Sequence, residues 1–145
     1  MKVIELIIDY EPTPKGRPRV VFKNGTVRTY TPQRTADAQE YINTYLSQFK
    51  DCYFPIHTAV KMTVTFWRTK SKWLAKKERL PMRKPDLNNF LGLLLDSINT
   101  KLWYDDCQVT TCLMKKRWSP NGEGYITLRL EEDIDEDSLF KNHLQ

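Results

Sequence analysis

Three aspartates, Asp86, Asp105 and Asp106, are the residues of this 145-residue chain whose type and spacing could do chemistry. Together they offer hard carboxylate oxygens and no thiol or imidazole, the donor set magnesium prefers. A divalent ion held by them could polarise a phosphate, activate a water and steady the leaving oxygen. That is metal-assisted phosphodiester hydrolysis. The same residues also have a plain structural reading, with Asp86 as a helix N-cap and Asp105-Asp106 as an acidic turn.

The elements that must position these carboxylates are legible around them. Pro85 disfavours helical geometry at Lys84 and marks a boundary. From Asp86 onward, Leu87, Phe90, Leu91, Leu94, Leu95 and Ile98 recur at the spacing of one helical face. Asn88, Asn89, Gly92, Asp96 and Asn99 fall off that stripe. The helix must end before Trp103-Tyr104, which delivers Asp105-Asp106 just ahead of a β-prone run. An acidic point stands at each end of this unit, and the two ends could approach each other in space.

The flanking sequence is basic. Between residues 68 and 84, Arg68, Lys70, Lys72, Lys76, Lys77, Arg79, Arg83 and Lys84 face one acid, Glu78, with Trp67 and Trp73 interleaved. Cations beside aromatics suit phosphate tracking with base stacking, although a solvated charge run has the same composition. A helical piece over 72–79 is one option for this loop. Upstream, Lys15-Gly16-Arg17-Pro18-Arg19 places three cations on a proline-stiffened loop that could grip phosphates. The alternative is a solvated loop.

The remaining elements follow from periodicity. Residues 3–10 read as a strand with Ile4, Leu6, Ile8 and Tyr10 on one face. Asn24-Gly25 between β-prone runs signals a hairpin, a basic flap with Arg19, Lys23 and Arg28 on its arms. Thr31-Pro32 suits an N-cap and first helical residue. The helix that follows carries Ala38, Tyr41, Ile42, Tyr45, Leu46 and Phe49. Residues 59–67 alternate as a half-exposed strand. Residues 108–118 form another, Ser119-Pro120-Asn121-Gly122 is a turn, and residues 125–130 are the return strand. His57 stands alone, and Cys107 and Cys112 fall on opposite faces, which disfavours a shared metal.

Length bounds the chain to one domain. No apolar run approaches ~20 residues, so no membrane span is expected. Three cysteines, Cys52, Cys107 and Cys112, without paired spacing suggest free thiols in a reducing cytoplasm. The net charge of +5 hides a division, for residues 131–137 hold six acids. Without residues 131–145 the body 1–130 has 22 basic and 12 acidic side chains, a net of +10. A basic body suggests a polyanionic partner, and solubility alone is the competing reading. The acidic tail 131–145 is read as a short helix with Ile134, Leu139 and Phe140 as its apolar side.

The run Lys84-Pro85-Asp86-Leu87-Asn88-Asn89-Phe90-Leu91, then Leu94-Leu95-Asp96-Ser97-Ile98-Asn99, then Trp103-Tyr104-Asp105-Asp106-Cys107-Gln108-Val109, closely resembles the RusA family of Holliday junction resolvases. Lys15-Gly16-Arg17-Pro18-Arg19 and the segment around Thr31-Pro32 share in the likeness, which covers most of 1–130. The resemblance implies a small α+β fold, a mixed or antiparallel sheet with helices packed on it. It also implies a homodimer that binds four-way DNA junctions and cuts them symmetrically with Mg2+, or Mn2+ in its place. By position, Asp86 matches the first catalytic aspartate and Asp106 the catalytic member of the second pair, with Asp105 beside it. Asn89 matches the motif asparagine and Asp96 the helix aspartate, both supporting. Asp86, Asn88 and Asp106 are the implied metal ligands. Lys15, Arg17, Arg19, Lys70, Lys72, Lys76, Lys77, Arg83 and Lys84 are the candidate DNA contacts.

Two positions depart from the family pattern. Asn88 stands where it has a second catalytic aspartate. A unit charge pair at ~4 Å and an effective dielectric of ~20 is worth about 4 kcal/mol, and a divalent ion raises the loss before solvation offsets it. The alternative function is therefore a catalytically silent junction-DNA-binding protein. A structural or interaction protein is a further rival. The second departure is Gly92, where the best-known members carry a lysine. A cation from the 68–84 loop is one substitute, and no substitute at all is the other option.

Overall fold

The computed structural model describes residues 2–74 and 76–136. Its strands are β1 (Val3–Ile8), β2 (Arg19–Lys23), β3 (Thr26–Tyr30), β4 (Val60–Arg68), β5 (Val109–Trp118) and β6 (Tyr125–Glu132). Its helices are α1 (Gln33–Leu46) and α2 (Leu87–Ile98), with 3-10 turns at Ser47–Cys52 and Asp106–Gln108. The class is α+β, with a mixed four-stranded sheet and a separate hairpin.

Strand alternation builds the sheet as expected. Ile4, Leu6 and Ile8 of β1 are buried, as are Val60, Met62, Val64 and Phe66 of β4 and Ile126, Leu128 and Leu130 of β6. All lie in one core with α1 and α2, so the helices cover one face of the sheet. Phe66 stacks on Phe90 of α2 with ring centroids 5.4 Å apart.

The strand order is β1-β6-β4-β5. β6 does turn back antiparallel to β5, but it does not lie beside it. β4 lies between them, antiparallel to β6 and parallel to β5. This order places Leu128 opposite Leu6 on one side and Val64 on the other, so the apolar faces of three strands meet.

The hairpin β2–β3 forms as its Asn-Gly tip predicts. Asn24 and Gly25 both take positive φ, 53° and 74°, as a two-residue hairpin turn of this kind requires. All ten strand residues are exposed. The register gives the ribbon two unlike sides. Arg19, Val21, Lys23, Thr26, Arg28 and Tyr30 share one, and Val20, Phe22, Val27 and Thr29 the other.

Three further expectations are amended. Pro32 is the N-cap of α1 rather than its first helical residue, because its extended backbone turns the carbonyl to accept from Ala36 N–H at 3.1 Å. The described residues of 72–79 form turns, not a helix. Buried Glu78 accounts for this, since its carboxylate accepts from Arg83 Nε at 3.2 Å and its carbonyl from Lys70 Nζ at 2.8 Å. These bonds fold the loop onto its one acid. Glu131 and Glu132 are strand, not helix, and the rest of the predicted tail helix beyond residue 136 lies outside the described residues.

Candidate functional site

α2 carries the candidate site on its uncovered face. Its buried side is Phe90, Leu93, Leu94, Ser97 and Ile98, with Leu87, Leu91 and Leu95 at the margins. Leu93 and Ser97 shift the centre of that face relative to the stripe read from the sequence. Ser97 tolerates burial because its hydroxyl donates to Leu93 O at 2.8 Å. The opposite side then presents Asn88, Asn89 and Asp96 to solvent, as the periodicity implied.

Asp86 occupies the N-cap position with extended backbone, but its side chain caps nothing. Its carbonyl instead accepts from Asn89 N–H at 3.0 Å and Phe90 N–H at 3.4 Å. The expected cap bond is therefore absent, and the exposed carboxylate keeps its oxygens for another use. Lys116 of β5 secures this entry to the helix, donating to the carbonyls of Arg83 and Pro85 at 3.0 Å each. The Lys84–Pro85 bond is cis.

The acidic doublet is held from beneath by buried Trp103 and Gln108. Trp103 Nε1 donates to Asn99 Oδ1 at 2.7 Å, tying the segment to the end of α2. Asp105 and Gln108 form a reciprocal capping box on the 3-10 turn. Asp105 Oδ1 accepts from Asp106 N–H at 2.8 Å, while Gln108 Oε1 accepts from the N–H groups of Tyr104 and Asp105 at 3.0 and 3.3 Å. Gln108 Nε2 donates to the carbonyls of Pro55 and Thr58 at 2.9 and 3.1 Å. Asp105 thus has a structural task. Gln108 is a positioning residue that motif reading quoted without a role, although the Asp-x-x-Gln spacing signals a capping box.

Asp106 is the perturbed carboxyl of the site. Burial pushes it above the usual aspartate range, and the Asp105 side chain and the negative charges of Asp105 and Asp96 add to the shift. The negative charges of Asp105 and Asp96 both act on Asp106. Asp86, Asp105 and Asp106 do not form a three-carboxylate metal cluster. Among the described residues no three His, Cys, Asp or Glu side chains stand close enough to hold a metal ion. One physical reason is that Asp105 is turned back onto its own backbone. The donor chemistry still suits a hard cation. The Asp86 carboxylate and the Asn88 amide have no hydrogen-bond partner among the described residues, and Asp106 is a carboxyl crowded by like charge.

The candidate DNA contacts divide by environment. Lys15 pairs with Asp96, Nζ to Oδ2 at 2.7 Å, and Arg83 is tied to Glu78. Lys70 and Lys72 lie over the rings of Trp118 and Trp73 at 5.9 and 5.3 Å from the centroids. Arg17, Arg19, Lys76, Lys77 and Lys84 are exposed. Trp73 is 86% exposed, an aromatic face in water beside cations. Arg68, the first cation of the 68–84 run, is half-buried against Phe90 and Trp118, and burial holds its guanidinium below the ordinary arginine range.

The side chain that crosses Gly92 is Lys15 of the N-terminal loop. A Cβ built on Gly92 would meet Lys15 Cδ at 3.5 Å.

A family model described as endodeoxyribonuclease RusA matches residues 9–129. A protein of Bacillus subtilis strain 168, described as uncharacterized protein YqaN, is 26% identical over 138 residues, covering 89% of this chain and 97% of its own length.

Proposed function

The chain belongs to the RusA endodeoxyribonuclease family, and on that premise we propose that it is a magnesium-dependent endonuclease that resolves four-way DNA junctions as a homodimer. The observation that carries the reading is the family match over residues 9–129, which takes in the uncovered face of α2 and the acidic doublet. Asp86, Asn88 and Asp106 would hold the ion. When bound, Mg2+ supplies Lewis-acid activation of a phosphodiester and of the water that attacks it.

The chain's own residues do the rest. Asp106 offers a carboxylate whose crowding by Asp105 and Asp96 favours a positive neighbour. Trp103 and Gln108 keep that carboxylate from drifting. Arg17, Arg19, Lys72, Lys76, Lys77 and Lys84 hold backbone phosphates, and Trp73 offers a stacking face to an unpaired base. Two copies related by a two-fold axis would meet the paired strands of a junction.

Asn88 supports a second reading, a protein that binds junctions without cutting them. It removes one negative charge from the implied ligand set and leaves the basic surfaces untouched. One experiment separates the two. The protein and its Asn88→Asp variant are incubated with a synthetic four-way junction, with and without Mg2+. Cutting by the unaltered chain supports the nuclease. Retardation without cutting, with cleavage gained in the variant, supports the silent binder. No preference for junction over duplex by either protein overturns both.

A further inference from the structure

A concave slot of about 400 Å3 opens beside the acidic doublet, lined by residues 56–59 and by Tyr104, Cys107, Gln108 and Thr110. Tyr104 and Cys107 bracket Asp105-Asp106 in the chain, so one wall of the slot is continuous with the doublet. Its size falls in the range of small-ligand sites. Among the described residues, none that line it carries a fixed charge. Such a lining offers little to a phosphate or a metal ion and suits a flat, neutral ring. Tyr104 and Ile56 are 61% and 56% exposed, so its apolar walls stand open to solvent.

Two separate segments make these walls, and they are joined beneath. Phe54 and Trp103, both buried, form a backbone bridge, and Phe54 N–H donates to Leu102 O at 2.7 Å. The Gln108 side chain ties the same two segments, accepting from Tyr104 N–H and donating to Pro55 O and Thr58 O. Residues 55–58 are a turn closed by Thr58 N–H to Pro55 O at 3.1 Å, and His57 takes a φ of 71° within it. Glycine would hold that conformation without strain, so a histidine there is kept at a cost. Its imidazole has no hydrogen-bond partner among the described residues, whereas the Thr110 hydroxyl is already committed to Asp133 at 2.6 Å. The slot is therefore preformed, with a free imidazole and an open phenol ring in its lining.

Resting on the nuclease reading, we propose that the slot receives one nucleobase of the junction, lifted from its stack beside the phosphate that meets Asp106, with Tyr104 as its stacking face and His57 at its edge. A nucleotide carries its base and its phosphate on one sugar, so a phosphate at the doublet brings a base within reach of the adjoining wall. The neutral lining accepts the π-face of any base. His57 adds preference, since a neutral imidazole can both donate to and accept from a base edge. Lifting a base out costs least where it is already unpaired. The slot thus makes the seating of the doublet on a strand depend on the base there as well as on the branch.

The test uses the full chain and four-way junctions in EDTA, each lacking one base at a nucleotide near the crossover. Loss of one particular base should weaken binding by the unaltered chain about tenfold. Tyr104→Ser should bind the intact junction about tenfold more weakly and should no longer sense that loss. Its salt slope should stay as it was, because no phosphate contact is removed. Tyr104→Phe keeps the ring and should behave as the unaltered chain. His57→Ala should still sense the missing base and should narrow the difference between junctions that carry different bases there. The absence of any sensitive position near the crossover overturns the proposal, as does a Tyr104→Ser protein that still senses the missing base. In Cys52→Ser/Cys112→Ser the remaining thiol is Cys107, and junction DNA should slow its alkylation. Slowing that instead follows protein concentration without DNA would put a second copy in the slot and overturn the proposal. Should the chain cut intact junctions with Mg2+ yet show none of these effects, the slot alone is lost. Should it neither cut junctions nor prefer them to duplex, the nuclease reading falls, and the slot with it.

Discussion

Replacing Gln108 with methionine should loosen the acidic doublet more than any other single change that leaves the carboxylates in place. The side chain is 8% exposed. It accepts from Tyr104 and Asp105 N–H at 3.0 and 3.3 Å and donates to Pro55 and Thr58 O at 2.9 and 3.1 Å. Methionine keeps the length and volume and makes none of the four bonds. At about 1 kcal/mol net for each good bond and less for the longest, the cost is roughly 3 kcal/mol. That is a large share of a domain stability of about 5–15 kcal/mol. With a urea slope of about 1–3 kcal/mol per molar, the unfolding midpoint should fall by about 1–3 M. Gln108→Glu should cost more at neutral pH, because a second acceptor would face the two carbonyls. Its carboxyl would be driven up in the folded state, so the folded form would bind the extra proton first. Stability of that variant should therefore rise as pH falls through the raised value. Urea denaturation followed by tryptophan fluorescence reads both. A Gln108→Met midpoint corresponding to less than about 0.5 kcal/mol of loss would refute the reasoning, since it would mean the four bonds exchange freely with water.

Other expectations are simpler. Asn88→Asp should strengthen Mn2+ binding in a calorimetric titration, and unchanged affinity would remove position 88 from the ligand set. Gly124→Ala should destabilise by about 1–3 kcal/mol in thermal unfolding. The new Cβ would overlap the Glu11 carboxylate and approach its Cα to 3.0 Å, breaking the grip of Glu11 on Thr69 Oγ1 and N–H at 2.8 and 3.1 Å. Asp133 is held below the usual aspartate range by the hydroxyls of Thr110 and Thr111. Its contribution is therefore present above the unfolded value and lost as pH falls through the folded one, and Asp133→Asn should flatten that part of an acid-unfolding curve. Neutralising Arg17 and Lys72 together should reduce the salt slope of junction binding by about 0.9 for each phosphate that no longer meets a cation.

What the sequence made legible were features written in short-range order. The alternation in β1 and β4, the Asn24-Gly25 tip and the apolar stripe of α2 each have a period or a dipeptide that fixes local geometry. The exposed row of Asn88, Asn89 and Asp96 followed from the stripe. Neighbour order in the sheet was not legible, because an alternating strand shows which side is buried and not which strand lies beside it. β4 inserted between β5 and β6 is such a case. The partner of Lys15 was hidden for a similar reason, since nothing local to residues 15–19 points to Asp96. Asp86 and Asp105 exchanged expectations. The cap bond offered as the structural alternative at Asp86 is absent, while Asp105, expected beside the catalytic aspartate, makes one.

The β2–β3 ribbon buries none of its ten residues against the body. Its opening therefore sacrifices none of the core, and a lone two-stranded ribbon is marginal in water. Amide protons along it should exchange with deuterium through brief local unlatching, while those of β4, bonded on both sides, should wait for the whole chain to come apart. Protection gained on the ribbon after a partner is added would then reveal which of its two sides had been grasped.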